Sequence, residues 1–204
     1  MGSPEPAGRH SPQRQALMVL SLAVVAALFA VLVIRLVDSN GGTRLVSAIR
    51  AGKKPAAPEF KLAVIWPQAD TWPVQLRPAA GRGTMSLRGL QGFPTVLNFW
   101  ASWCTACGSE AKHLAAAART NRGRVVFVGV DVNDLGSDAQ RFLKHHRPNY
   151  VALRSHGSSV YDAYGLIGLP ETYYLDAKGR VVAQTIGELT ARKLAAGIDR
   201  AKRD

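Results

Sequence analysis

The chain's only two cysteines, Cys104 and Cys107, stand two residues apart and directly follow the apolar run Thr95-Val96-Leu97-Asn98-Phe99-Trp100. A helix-like stretch follows them. A buried strand, then CxxC, then a helix is a restrictive order. It sets two thiols one turn apart at a helix N-terminus, where unpaired amides and the helix dipole favour a thiolate. Such a pair can close a disulfide and also release it. As a structural staple it is weak: closing so short a loop stabilises by about 3 kcal/mol or less on the chain-entropy model. Two cysteines fall far short of a disulfide scaffold. No second CxxC and no HxxxH is present to complete a four-ligand zinc site, so no metal ligands are assigned.

The 204 residues are enough for one domain with a core plus accessory segments. Formal net charge is +12, which fits either attraction to anionic lipid or acidic surfaces, or a solvated arginine-rich surface. Basic residues are not interleaved with aromatics in the manner of single-strand binders, so no nucleic-acid partner is expected.

Residues 1–15 are polar and proline-containing and read as a short cytoplasmic tail. Ala16 to Ile34 is apolar over nineteen residues except for Ser21. At about 1.5 Å per residue such a helix matches a hydrocarbon core of about 30 Å. Its length and the lack of a small-x-small site after Ile34 favour an uncleaved signal-anchor, residues 16–37, over a cleavable signal peptide. Residues 38–58, with Gly41-Gly42, Pro55 and Pro58, read as a linker whose middle, Thr43 to Ala51, suits a short helix. Arg9 and Arg14 precede the apolar helix. Arg35, Arg44, Arg50, Lys53 and Lys54 follow it, so a plain positive-inside count leaves the large domain in the cytoplasm; long domains, however, translocate largely regardless of charge.

Residues 59–204 carry the compact domain. Strands are expected at Phe60–Val64, Val74–Leu76, Thr84–Leu87, Thr95–Phe99, Val125–Val130 and Asn149–Leu153. A hairpin, Glu171–Leu175 with Arg180–Ile186, is expected around Asp176-Ala177-Lys178-Gly179. Helices are expected at Ala106–Thr120, with Ala111, Leu114, Ala115 and Ala118 on one face, and at Ser137–His146 and Ser158–Tyr164. A last helix capped by Thr190 runs to about Ala201. The alternation implies an α/β fold, a mixed sheet with helices on both faces, and CxxC beside a βαβ pattern is itself a redox signature.

Four segments resemble the thioredoxin-like superfamily, and within it the membrane-anchored TlpA/ResA/CcmG (DsbE) type of thiol–disulfide oxidoreductase. They are Pro55-Ala56-Ala57-Pro58-Glu59-Phe60-Lys61-Leu62, then Leu97-Asn98-Phe99-Trp100-Ala101-Ser102-Trp103-Cys104, Cys107-Gly108-Ser109-Glu110, and Gly168-Leu169-Pro170-Glu171-Thr172-Tyr173-Tyr174-Leu175-Asp176. The similarity runs from about Ala57 to Ala201. It implies Cys104 as the attacking thiol, Cys107 as the resolving thiol and Glu110 as a proton-transfer group. It implies Pro170 as a cis-proline that frees the backbone of Leu169 to pair with an extended substrate, with Trp103, Glu171 and Tyr173 flanking that groove. Thr105, Ala106 and Asn98 are expected to tune the potential. Asn98 stands where ordinary thioredoxins place an aspartate, which leaves Glu110 as the proton acceptor.

The resemblance also implies an extracytoplasmic, periplasm-facing domain tethered to the bacterial inner membrane by a single helix, overriding the charge count. No cofactor is expected beyond the redox-active Cys104–Cys107 disulfide. The expected partners are a protein disulfide, such as the CxxC of apocytochrome c or a relay protein of cytochrome c maturation, and a transmembrane electron donor of the CcdA or DsbD type. There are departures. Ala106 replaces a more usual proline, Ala111-Lys112-His113 lacks the helix-kinking proline, and Ser155 or His156 stands where an acidic residue is usual. His113, His145, His146 and His156 show no ligand spacing toward the cysteines and read as surface residues. Three rivals stay open: a disulfide-forming oxidant of the same fold, a copper-delivery chaperone, which would normally use CxxxC, and a peroxiredoxin, whose Pro-x-x-x-Thr-x-x-Cys is not matched at Ala101.

Overall fold

The structure, a computed structural model, describes residues 12–38 and 40–203. It divides into two compact units, one ending at Asn40 and one starting at Gly41. Among the described residues the first unit holds the helix α1 (Pro12–Asp38). Its stretch Gln15–Val33 is long and apolar enough to cross a membrane, and Ser21 Oγ satisfies itself on the carbonyl of Leu17.

The second unit opens within α2 (Asn40–Arg50). The expected start of the compact domain near Glu59 is corrected here. Leu45 is buried in the core, and a methyl group on Gly42 would lie 2.1 Å from the carbonyl oxygen of Asp162. The segment after α2 is also held, by Val181 N–H to Pro55 O and Ala57 N–H to Gly179 O. Much of residues 38–58 is therefore packed rather than a free linker. Its polar, glycine-rich composition conceals the few apolar residues that do the packing.

β1 (Lys61–Trp66) follows. The segment Val74-Gln75-Leu76, expected as a strand, is a turn, closed by Leu76 N–H to Pro73 O. Flanking Pro73 and Pro78 disfavour a ladder, and the segment is anchored by buried Trp72, whose Nε1 donates to Phe127 O. The chain then runs through α3 (Arg77–Ala80), β2 (Thr84–Ser86) and a 3-10 turn, Leu87–Leu90. β3 (Thr95–Trp100), α4 (Thr105–Thr120), β4 (Val126–Asp131), α5 (Gly136–His146), β5 (Val151–Arg154) and α6 (Ser159–Tyr164) come next. The hairpin β6 (Glu171–Leu175) and β7 (Val181–Ile186) and the final helix α7 (Ala191–Arg203) close the unit. Thr190 Oγ1 accepts from Lys193 N–H and caps α7 as expected.

The seven strands form one sheet in the order β2-β1-β5-β4-β3-β6-β7. β3, β4 and β5 are parallel, and β6 pairs antiparallel with β3. Every residue of β3 and β4 is buried, as expected for central strands covered on both faces. Alternation along β3 sends Leu97 and Phe99 into one core, with Tyr164 and Tyr173. Val96 enters the other, with Leu114, Tyr174 and Ile198. Asn98 and Trp100 share the Val96 face, so Asn98 is the one polar side chain that β3 presents toward the α4 side. Gly129, opposite Asn98 on β4, has to be glycine: a methyl there would lie 2.8 Å from Trp100 Nε1.

Candidate active site

β3 ends at Trp100, and Ala101-Ser102-Trp103 carries the chain to the head of α4. Cys104 is the N-cap residue, in an extended conformation, and its Sγ accepts the N–H of Cys107 at 3.1 Å. A first-turn helix amide thus points at the first sulfur, shared with the carbonyl oxygen of Cys104 at 3.1 Å. The two cysteines are joined as a disulfide, with Cα atoms 5.3 Å apart. Cys104 is 7% and Cys107 3% exposed, while Trp103 beside them is 64% exposed. Thr105 is exposed and Ala106 half-buried against the cysteine cluster.

Glu110 lies one turn beyond Cys107 on α4 and is 0% exposed. Its Oε1 accepts from Asn98 Nδ2 at 2.7 Å, and its Oε2 from the N–H of Leu189 at 2.8 Å. Asn98 Nδ2 also donates to Thr172 Oγ1 at 3.0 Å. Burial raises the Glu110 carboxyl from its ordinary 4.5 to about 7; the two donors oppose that rise, and Glu188 adds to it. A carboxyl half-ionised near neutrality beneath a disulfide suits proton exchange.

The Leu169–Pro170 peptide is cis, and Leu169 packs against the cluster of Trp100, Cys104 and Cys107. The residue before the expected contact residue Pro170 thus packs on the cluster that contains the cysteines, and Ile167 is exposed on the same loop. Glu171 is a correction. It is fully buried, and its Oε1 accepts the N–H groups of Ile167 and Gly168 while its Oε2 accepts from Gln184. It shapes the proline loop from behind and offers nothing to a substrate. Tyr173 is buried too, donating its hydroxyl to Tyr164 O. Both point inward because β6 is an interior strand between β3 and β7.

The structure adds residues that the sequence did not single out. Asp134 accepts from the N–H of Ser102 at 2.5 Å, from Ser102 Oγ at 2.8 Å and from the N–H of Leu135 at 2.7 Å. It pins the loop that leads into Cys104. Trp103 Nε1 donates to Asn133 O, and Asn133 has a left-handed backbone. Asp131, at the end of β4, pairs with Arg154 at 2.6 Å through Oδ2, while Oδ1 has no partner. Burial lifts Asp131 to about 7, with Arg154 opposing and Asp134 assisting. The available signal is positional: Asp131 and Asp134 follow the carboxyl end of a parallel strand, where α/β sheets open their crevices. His146, expected as a surface residue, is only partly exposed and its ring lies tilted against that of Phe142, which stacks on Trp100. Among the described residues no three His, Cys, Asp or Glu side chains converge as metal ligands.

Known proteins resemble this chain in sequence and in fold. ResA of Oceanobacillus iheyensis, a thiol-disulfide oxidoreductase, is 28% identical over 179 residues, 86% of this chain and 82% of ResA. The thiol:disulfide interchange protein DsbE of Pseudomonas fluorescens is 31% identical over 108 residues, 52% of this chain and 59% of DsbE. HelX of Rhodobacter capsulatus, also a thiol:disulfide interchange protein, is 31% identical over 105 residues, 51% of this chain and 58% of HelX. The chain thus aligns with a little over half the length of the DsbE and HelX relatives. Among solved structures, a DsbF homologue from Corynebacterium diphtheriae superposes with a TM-score of 0.56 at 25% identity, over 71% of this chain and 85% of its own. A secreted Mycobacterium tuberculosis disulfide oxidoreductase does so with a TM-score of 0.55 at 22% identity, over 69% and 94%; at that identity the likeness shows the fold. The AhpC/TSA family model matches residues 54–184, well over half of the chain. The protein belongs to the AhpC/TSA family and has a thioredoxin-like fold, and its relatives are thiol–disulfide oxidoreductases of the DsbE, ResA and HelX type.

Proposed function

We propose that this protein is a membrane-anchored thiol–disulfide reductase that works through the Cys104–Cys107 dithiol on protein disulfides. The observation that carries the reading is the position of Cys104 Sγ at the head of α4, where it accepts the Cys107 N–H with Glu110 buried one turn beyond. The amide and helix dipole stabilise a thiolate at Cys104. That thiolate attacks a substrate disulfide, forming a Cys104–substrate bond and releasing one substrate thiolate. Cys107 then gives up its proton and attacks Cys104 Sγ, which displaces the second substrate sulfur. Two electrons pass to the substrate and the protein is left as its disulfide. Glu110, one turn beyond Cys107 and oriented by Asn98, is a group able to exchange protons near the sulfurs.

The substrate class is an oxidised CxxC such as that of apocytochrome c, or a relay protein of cytochrome c maturation. The names of the DsbE, ResA and HelX relatives support exchange with disulfides. Re-reduction needs a donor, for which a transmembrane carrier of the CcdA or DsbD type is the fitting class. The apolar length of α1 supports a single-pass anchor, with the catalytic domain on the extracytoplasmic side of a bacterial inner membrane. Trp103, Leu169 and Pro170 form the contact surface, and Thr105 and Ala106 set the potential with Asn98.

The test is the reduction potential of Cys104–Cys107, followed by tryptophan fluorescence in thiol–disulfide buffers. A value at or below about −230 mV supports a reductase, whereas one near about −120 mV makes the protein a disulfide donor instead.

A further inference from the structure

Cys107 and Glu110 are both buried, so a proton leaving the resolving thiol needs a path to water. Cys107 lines a narrow cavity of about 10 Å³ together with Asn98, Trp100, Phe142, His146 and Tyr150, roughly the size that admits one water. Among these side chains the amide and the indole do not titrate. Tyr150 is buried, and burial drives its phenol further above the ordinary 10. His146 alone combines partial exposure with a side chain that exchanges protons near neutral pH.

Its position is held by packing. The His146 ring lies 4.3 Å from that of Phe142, and Phe142 lies 4.5 Å from Trp100. A methyl on Gly108, the residue after Cys107, would sit 3.4 Å from His146 Nε2, so the imidazole faces the head of α4. The charged and titratable groups around it are His145, at 4.8 Å, with Lys144 and Arg147 at its own helix end. On α4 they are Cys107 and, behind Asn98, Glu110; before β5 there is Tyr150. Burial and His145 hold His146 below its ordinary 6.5, which keeps it neutral and able to accept at pH 7.

We propose that His146 is the proton exit of the active site, taking the Cys107 proton through this cavity and handing it to solvent. The proposal rests on the thiol–disulfide reading. As Cys107 attacks, its S–H bond breaks and the proton passes by way of the cavity to the imidazole. The sulfur's electron pair forms the bond to Cys104 Sγ, and the bond from Cys104 to the substrate sulfur breaks, releasing a thiolate. His146 acts through the cavity and is a relay, while the sulfurs carry the chemistry.

The test uses the full chain, reduced and in detergent, mixed with the aromatic disulfide DTNB. The first release of thionitrobenzoate reports attack by Cys104, and the second reports ring closure by Cys107. With His146→Phe the second phase slows about a hundredfold or more at pH 7, the low end of general-base effects. The first phase stays within about twofold, and added imidazole restores the second. His146→Gln keeps the polarity and approximate size, does not titrate in this range, and slows the same phase, so lost packing is not the cause. The inflection in the rate–pH profile of the second phase, present in the wild type below the ordinary histidine value, disappears in both variants. An unchanged second phase in both variants overturns the proposal, as does a slowing that imidazole does not relieve with the pH profile intact. Absence of both phases in the wild type would instead overturn the thiol–disulfide reading.

Discussion

Replacing Glu110 with glutamine isolates the effect of burying a carboxyl under the disulfide. The side chain is inaccessible and takes two donors, Asn98 Nδ2 and Leu189 N–H, yet its proton affinity rises from 4.5 to about 7 because desolvation exceeds what the donors return. At about 1.4 kcal/mol for each tenfold change, this corresponds to about 3 kcal/mol, as an upper figure. The folded state holds this proton more tightly than the unfolded chain does. The stabilisation is therefore fully present below about 4.5 and is lost as pH rises to about 7. Glutamine has no proton to lose. Its amide NH₂ must meet one of the two donors, which costs about 1–3 kcal/mol at every pH. The wild type's advantage over Glu110→Gln is thus largest near pH 4 and shrinks by up to about 3 kcal/mol by pH 8. Urea unfolding of the oxidised full chain in detergent, followed by fluorescence of the buried Trp72 and Trp100, measures this difference across the range. Asp131, also near 7, is present in both proteins and cancels. A difference that stays constant within about 0.5 kcal/mol from pH 4 to 8 refutes the buried-carboxyl account.

Two further outcomes follow from packing and pairing. Gly129→Ala places a methyl 2.8 Å from Trp100 Nε1 and 3.4 Å from the Tyr150 ring; a loss of about 1–3 kcal/mol is expected, read as a lower melting temperature, and an unchanged one refutes the fit. Arg154→Met leaves Asp131 buried without its cation, which costs about 3–5 kcal/mol while the carboxylate is charged. Without Arg154 the carboxyl holds its proton to still higher pH, so the loss grows as pH rises past about 7 and fades as pH falls and Asp131 takes up a proton; equal destabilisation at pH 5 and pH 8 would contradict it.

Much of the site was legible because it is local in sequence. The run Thr95–Trp100 followed by CxxC gives β3, a turn and α4 within thirty residues, and each step rests on near-neighbour patterning. Glu110 could be placed beside the thiols for the same reason, being one helical turn from Cys107. The Pro170 segment was found by resemblance, and its peptide is cis. Glu171 and Tyr173 stand next to that proline in sequence but turn into the core, because β6 is an interior strand and nothing in the local pattern says which neighbours will cover it. Val74-Gln75-Leu76 alternates as a strand would, but the flanking Pro73 and Pro78 and the anchoring of Trp72 on Phe127 O make it a turn.

The sequence by itself therefore determined the chemistry and its frame: two thiols one turn apart, a strand before them, a helix under them and an apolar helix near the N-terminus. These follow from spacing and periodicity, which act over a few residues. Only the tertiary structure decided what surrounds the sulfurs. Asn98 meets Glu110 across twelve residues and Thr172 across seventy-four. Asp134 ties down Ser102 from the end of another strand, and His146 reaches the Cys107 cavity from the end of α5. Burial and pairing of this kind depend on which distant segments the sheet brings together, and that is where proton affinity is set.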